Sequence, residues 1–164
     1  MASTPDKKDI STEEGKSITA EAATWKSTPY KLVGPTSTKA VGGDCSGITQ
    51  KIYTAAHFPY TYTQAPDFPA YALKSKLFRA LTDGEAKQDG DILCWPNHVA
   101  IYSTFKGDPG NATTIRRQKS GKGTWVQVND MWTASHPDPG SYAFGPAQLK
   151  WWRPDAPKVF RYQK

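Results

Sequence analysis

Two cysteines, three histidines and two methionines in 164 residues leave little material for metal or redox chemistry. Cys45 and Cys94 are too few for a disulfide framework and too few for a zinc site built on thiolates. They could form one bridge, but a reduced pair is the expectation, and neither a metal nor a cofactor is expected. No apolar run is long enough to cross a bilayer, so membrane insertion is not expected. The first 16 residues, MASTPDKKDISTEEGK, are polar and lack the apolar core of a secretory signal, so no signal peptide is visible. Internal repeats and low-complexity linkers are missing as well. The expected organisation is a flexible tail over residues 1–16 and a single domain over 17–164.

What is present is globular in character: 37% hydrophobic residues, 12% aromatic, and six tryptophans that can fill a core. A net charge of +6 and a pI near 9.3 favour anionic partners. The basic residues are scattered, however. Their densest cluster, IRRQKSGKG (115–123), reads as a solvated hairpin tip rather than a groove-reading helix.

Helical spacing of Ile18, Ala22 and Trp25 predicts a short helix over 17–27, followed by a Gly/Pro/Thr-rich loop over 28–43. Asp44 is a good N-cap, and Ile48, Ile52 and Ala55 or Ala56 continue a helix that ends near His57. A third helix is predicted over 67–81, with Asp67 as cap and Pro69 in its first turn. Beyond the turn DGEAKQDGD the pattern becomes strand-like. Strands are predicted at 91–95, 98–105, 124–129, 131–135 and 158–162. Helices first and an antiparallel sheet afterwards define an α+β fold.

If Asp44 caps the helix, Cys45 is its first residue and its sulfur lies at the positive end of the helix dipole, which favours the thiolate. Gly42, Gly43 and Gly47 leave room for a substrate backbone to approach. A cysteine nucleophile needs a base, usually an oriented histidine. His57 lies twelve residues along the same helix, about 18 Å away, and cannot reach the thiol. His98 opens a strand, alternating with Ala100 and Tyr102, while Val99 and Ile101 form the core-facing side. His136 precedes Pro137 in a segment that reads equally well as exposed loop. Cys94, mid-strand in an apolar run, reads as core, and Asp89 and Asp91 around Gly90 read as turn chemistry.

Three stretches taken together, TPYKLVG (28–34), GGDCSGITQKIY (42–53) and QDGDILCWPNHVAIY (88–102), resemble the NlpC-type cell-wall cysteine peptidases over roughly residues 20–105. The resemblance implies a papain-like fold, with N-terminal helices packed on a C-terminal antiparallel sheet. It also implies hydrolysis of an amide bond in peptidoglycan stem peptides, often between D-glutamate and the following diamino acid. By position Cys45 would be the nucleophile and His98 the general base. Tyr30, Asp44 and Ser46 match positions near the substrate: Tyr30 for the oxyanion or the stem peptide, Asp44 for a free amine, Ser46 beside the nucleophile. The family's third catalytic position falls in MWTASHPDPGSYAFGP, where the familiar histidine is replaced by Thr133. His136 is the choice for orienting the His98 ring, with Asn129 and Ser135 as fallbacks.

The partners so implied are peptidoglycan stem peptides, and no nucleic acid. Delivery to a rival's periplasm or cell wall by type VI secretion, as a monomer held in check by a cognate immunity protein, is one expectation within this reading. A CHAP-type wall amidase is the related alternative. A non-catalytic basic binding module is the alternative from another class, and it would bind in a salt-dependent way even without Cys45.

Overall fold

A computed structural model of the chain describes residues 7–104, 114–117, 124–127, 130–135, 142–147 and 156–164. Helix α1 spans Thr12–Thr24, α2 Cys45–Ala55 and α3 Phe68–Ser75, with single 3-10 turns at Gly34–Thr36 and Ala65–Asp67. The strands are β1 Phe78–Ala80, β2 Ile92–Trp95, β3 His98–Tyr102, β4 Thr114–Arg117, β5 Thr124–Gln127, β6 Met131–Ser135, β7 Tyr142–Ala147 and β8 Lys158–Tyr162. Six of them form an antiparallel sheet in the order β1-β8-β2-β3-β6-β7, and β4 pairs with β5 as a separate hairpin. Ile115–Arg117 of the basic cluster belong to β4, and the rest of the cluster, 118–123, lies outside the described residues.

The helices cover one face of the sheet. Ile18 and Ala22 of α1, Ile48, Ile52 and Tyr53 of α2, and Phe68 and Ala72 of α3 share a buried cluster with Cys94, Val99, Ile101, Trp132, Ala134 and Phe160. Ile48 and Ile52 are fully buried, each contributing about 1.5–3 kcal/mol of transfer free energy. Leu93, Trp95, Ala100, Met131 and Ala147 pack together as a second, smaller cluster on the alternate strand positions. Strand β3 is therefore buried on both sides. Central placement between β2 and β6 explains why Ala100 is as inaccessible as Ile101.

Three expectations change at this level. The first helix begins at Thr12 rather than Ser17. Ser11 caps it in a reciprocal box with Glu14: the Glu14 N–H donates to Ser11 Oγ at 3.1 Å, and the Ser11 N–H to Glu14 Oε1 at 2.9 Å. Upstream, the Ile10 N–H donates to the Tyr162 carbonyl, Lys8 and Lys164 exchange backbone bonds, and Asp9 takes both Nε and Nη2 of Arg79. Residues 8–10 are thus held against β8 and β1 and residues 12–16 belong to α1, so the chain is not a flexible tail to residue 16. The helix expected over 67–81 stops at Ser75, because Lys76 turns left-handed (φ 62°) and Phe78–Ala80 add a strand beside β8. Strand β7 was not foreseen. It contains Gly145 and Pro146, which local preference assigns to turns, yet at the sheet edge a proline is tolerated.

Candidate functional site

Helix α2 begins as the sequence leads one to expect. Asp44 has extended backbone geometry, and its Oδ1 accepts the Gly47 N–H at 2.8 Å, so Cys45 occupies the first helical position. Its second oxygen, Oδ2, accepts the Gly34 N–H at 2.9 Å, tying the preceding loop to the helix start. The segment Pro29–Lys31 runs alongside Gly43, with Gly43 N–H to Pro29 O at 3.0 Å and Lys31 N–H to Gly43 O at 2.9 Å. That bridge carries Tyr30 to the Cys45 end of the helix.

The glycines serve this loop rather than a substrate. A Cβ on Gly47 would sit 2.2 Å from both Gly34 O and Ser37 Oγ, and one on Gly43 would meet Ile48 and Ser37. A Cβ on Gly42 would strike the Lys31 stem. The room the glycines make is already filled by residues 31–37 and by Ile48, so the expectation that they admit a substrate backbone is corrected.

Cys45 is half-buried and lies in a groove of about 250 Å³ with Tyr30, Leu32, Asp44, Ser46, Tyr62, Gln64, Ala65, Pro66 and Asn97. Burial, then the nearby Cys45 and Asp44 charges, push the Tyr30 phenol up, so it stays protonated and can donate a hydrogen bond. Ser46 is buried, and its hydroxyl lies 3.4 Å from the Tyr62 hydroxyl. Asp44 is also buried, with both carboxylate oxygens already accepting backbone N–H groups. Tyr62, Gln64 and Asn97 were not singled out from sequence. Only Asn97 carried a signal, by standing next to His98. A larger cavity of about 480 Å³ between α3, β1 and β8, lined by Leu73, Thr82 and Lys87 among others, contains neither cysteine nor histidine.

Strand β3 packs against α2, and its first residue, His98, directly follows Asn97 in the groove wall. The His98 ring is buried, with the Trp95 ring 5.7 Å away between centroids. Its Nε2 lies 2.9 Å from Thr133 Oγ1, itself buried in β6. Thr133 Oγ1 also donates to the Val99 carbonyl at 2.9 Å. His136 and Asn129 lie outside the described residues, as does the side chain of Ser135, whose backbone belongs to β6. Thr133 is the third-position residue whose contact with His98 is described.

The remaining candidates sort by burial. Cys94 donates weakly to the Ala65 carbonyl at 3.7 Å, and burial, followed by the Cys45 charge, pushes its thiol up to about 12. Asp91 is more than turn chemistry. Buried in β2's approach, it pairs with Arg161 through Nε–Oδ1 at 2.9 Å and Nη2–Oδ2 at 2.8 Å, and accepts the Gln88 N–H. Asp89 holds the Thr104 N–H at 2.7 Å. His57 follows the end of α2, exposed and with φ 74°. Among the described residues no group of three or more His, Cys, Asp or Glu could hold a metal ion, and no helix is long and apolar enough to cross a membrane.

No protein-family model and no curated protein matches this sequence. Solved structures do match. One is a protein from Staphylococcus aureus subsp. aureus Mu50 described as similar to lipoprotein, of the NLP/P60 family, with a TM-score of 0.52 and 18% identity over 98% of this chain. This chain spans only 44% of that protein's length. The NlpC/p60 domain of the peptidoglycan hydrolase SagA aligns over 90% of this chain and 97% of its own, at 22% identity and a TM-score of 0.46. The fold is papain-like α+β, with helices on one face of an antiparallel sheet, as in the staphylococcal NLP/P60 protein.

Proposed function

We propose that the protein is a cysteine amidase or endopeptidase that cleaves peptidoglycan stem peptides. The observation that carries this reading is the placing of Cys45: first residue of a capped helix, half-buried in a groove, beside the strand that opens with a buried, hydrogen-bonded His98. The helix dipole favours the thiolate there.

In the proposed reaction His98 accepts the thiol proton and Cys45 Sγ attacks the amide carbonyl carbon. The Cys45 N–H, assisted by the Tyr30 hydroxyl, donates to the developing oxyanion. The C–N bond breaks as the His98 proton passes to the leaving amine, and an acyl thioester remains on Cys45. Water then loses a proton to His98 and attacks the thioester carbonyl, releasing a carboxylic acid and the thiol. Asp44 and Ser46 are the proposed contacts for the stem peptide, Asp44 for a free amine. Orientation of His98 by His136 stays a proposal from the sequence, alongside the contact that Thr133 makes.

Cleavage between D-glutamate and the diamino acid, in a periplasm reached by type VI delivery and blocked at home by an immunity protein, is the finer reading. It is supported by the sequence resemblance over residues 20–105. Mass spectrometry of muropeptides incubated with wild type and with Cys45→Ala tests both levels. New products are expected with wild type only, and their masses name the bond; no product with wild type overturns the hydrolase reading.

A further inference from the structure

We infer that Thr133 is the residue that sets the tautomer of His98, acting as an obligate hydrogen-bond acceptor because its single proton is committed to the main chain. The inference rests on the reading of His98 as the base.

A threonine hydroxyl has one proton and two lone pairs. Among the described residues Thr133 Oγ1 has three polar neighbours: the Val99 carbonyl at 2.9 Å, the Ala134 carbonyl at 3.4 Å, and His98 Nε2 at 2.9 Å. Two of the three are carbonyls, which can only accept. The proton therefore belongs to the Val99 carbonyl, which has the shorter contact of the two. That bond lies just beyond the described end of the β3–β6 ladder. Pairing runs Tyr102 with Met131 and Ile101 with Trp132; carried on in that register it would set Ala100 opposite Thr133 and Val99 opposite Ala134, and neither is among the described ladder pairs. Val99 is buried, so losing the Thr133 hydroxyl as a donor to its carbonyl would be costly, and the proton is held there.

With its proton so placed, Thr133 Oγ1 can meet Nε2 only as an acceptor. Nε2 must then carry the hydrogen of the neutral ring, and Nδ1 is left as the basic nitrogen. The Trp95 ring beside the imidazole restricts the ring flip that would exchange the two nitrogens. Thr133 brings no charge to this task, unlike a carboxylate in the same role. Its contribution is orientation and tautomer alone, which makes it a positioning residue rather than a catalytic one.

The test reads the ring directly. In 15N-histidine-labelled Cys45→Ala protein, no thiolate holds a second proton on the imidazole. Nitrogen-detected correlation spectra taken where the ring is neutral are expected to show His98 with a protonated Nε2 and an unprotonated Nδ1. His57→Gln and His136→Gln assign the other two rings by elimination. Thr133→Val removes the hydroxyl at nearly constant shape and is expected to mix the tautomers. On the intact Cys45 background it should lower kcat on the order of 10²-fold with KM within about twofold. Thr133→Ser restores both readouts. An Nδ1–H tautomer in the parent protein overturns the inference, and so does a Thr133→Val ring that keeps a single Nε2–H form. If no substrate is cleaved at all, the proposed function fails while the tautomer result still decides the role of Thr133. If Thr133→Val does not fold, the parent spectrum and Thr133→Ser decide it alone.

Discussion

Replacing Asp44 by alanine tests the frame on which the nucleophile is mounted. The carboxylate makes two separate bonds to backbone N–H groups, to Gly47 at 2.8 Å inside the helix and to Gly34 at 2.9 Å in the loop that carries Tyr30. Losing the cap costs about 1 kcal/mol. Losing the charge-assisted bond to Gly34 costs about 2 kcal/mol. The sum is about 3 kcal/mol, and with an m-value of about 2 kcal/mol/M the urea midpoint followed by circular dichroism should fall by about 1.5 M. Asp44→Asn keeps one acceptor oxygen and should lie roughly halfway. The pair of variants also separates support from substrate contact. If Asp44 binds a substrate ammonium as well, Asn lowers kcat/KM more than its stability loss explains. A midpoint shift below about 0.3 M for the alanine variant would refute the claim that Asp44 holds the helix start and the loop together.

Burial pushes the Cys94 thiol up to about 12, whereas Cys45 lies in an open groove at a helix N-terminus. Iodoacetamide at neutral pH should therefore add one carbamidomethyl group, mapped by mass spectrometry to Cys45, and none to Cys45→Ala; label on Cys94 would contradict this. A Cβ on Gly15 would lie 1.9 Å from the Asp89 carbonyl oxygen, backbone against backbone. Gly15→Ala should therefore destabilise by about 2 kcal/mol despite alanine's better helix propensity, and a neutral or raised melting temperature would show that α1 does not press on the 88–91 turn. The Arg79 guanidinium, and after it the Thr82 N–H, hold Glu85 down at about 2. A carboxylate with a depressed folded pKa stabilises above its unfolded value and loses that contribution as pH falls. The gap in melting temperature between wild type and Glu85→Gln should thus be full at pH 7 and shrink between about pH 5 and pH 2, and a gap constant across that window refutes the linkage.

Local signals in this chain were legible where a short stretch contains its own cause. Asp44 followed by Ile48 and Ile52 states both the cap and the buried face of α2, so that helix starts where the sequence places it and ends at Ala55. The runs ILCW, HVAIY, MWTAS and KVFRY are strands because β-branched and aromatic residues concentrate in them. The first helix was misplaced because its start signal, Ser11 with Glu14, sits in a stretch whose polarity reads as a tail. The end of the third was misread because Phe78 is claimed by β8, a partner some eighty residues away.

The sequence by itself determined the order of helices before strands, the start of the Cys45 helix, and the choice of Cys45, His98 and Tyr30 as the residues to watch. Tertiary structure decided which of their neighbours matter. The space beside the glycines before and after Cys45 is filled by residues 31–37 and Ile48, a fact of packing that no local pattern expresses. Tyr62, Gln64 and Asn97 share a groove with Cys45 only because the sheet and the 3-10 turn bring distant segments together. Thr133 bonds His98 across 35 positions because β6 pairs with β3, which brings one hydroxyl to both the His98 ring and the Val99 carbonyl. Capping and periodicity act within a few residues and are written in the sequence, while the partner of a buried ring is settled only when strands pair.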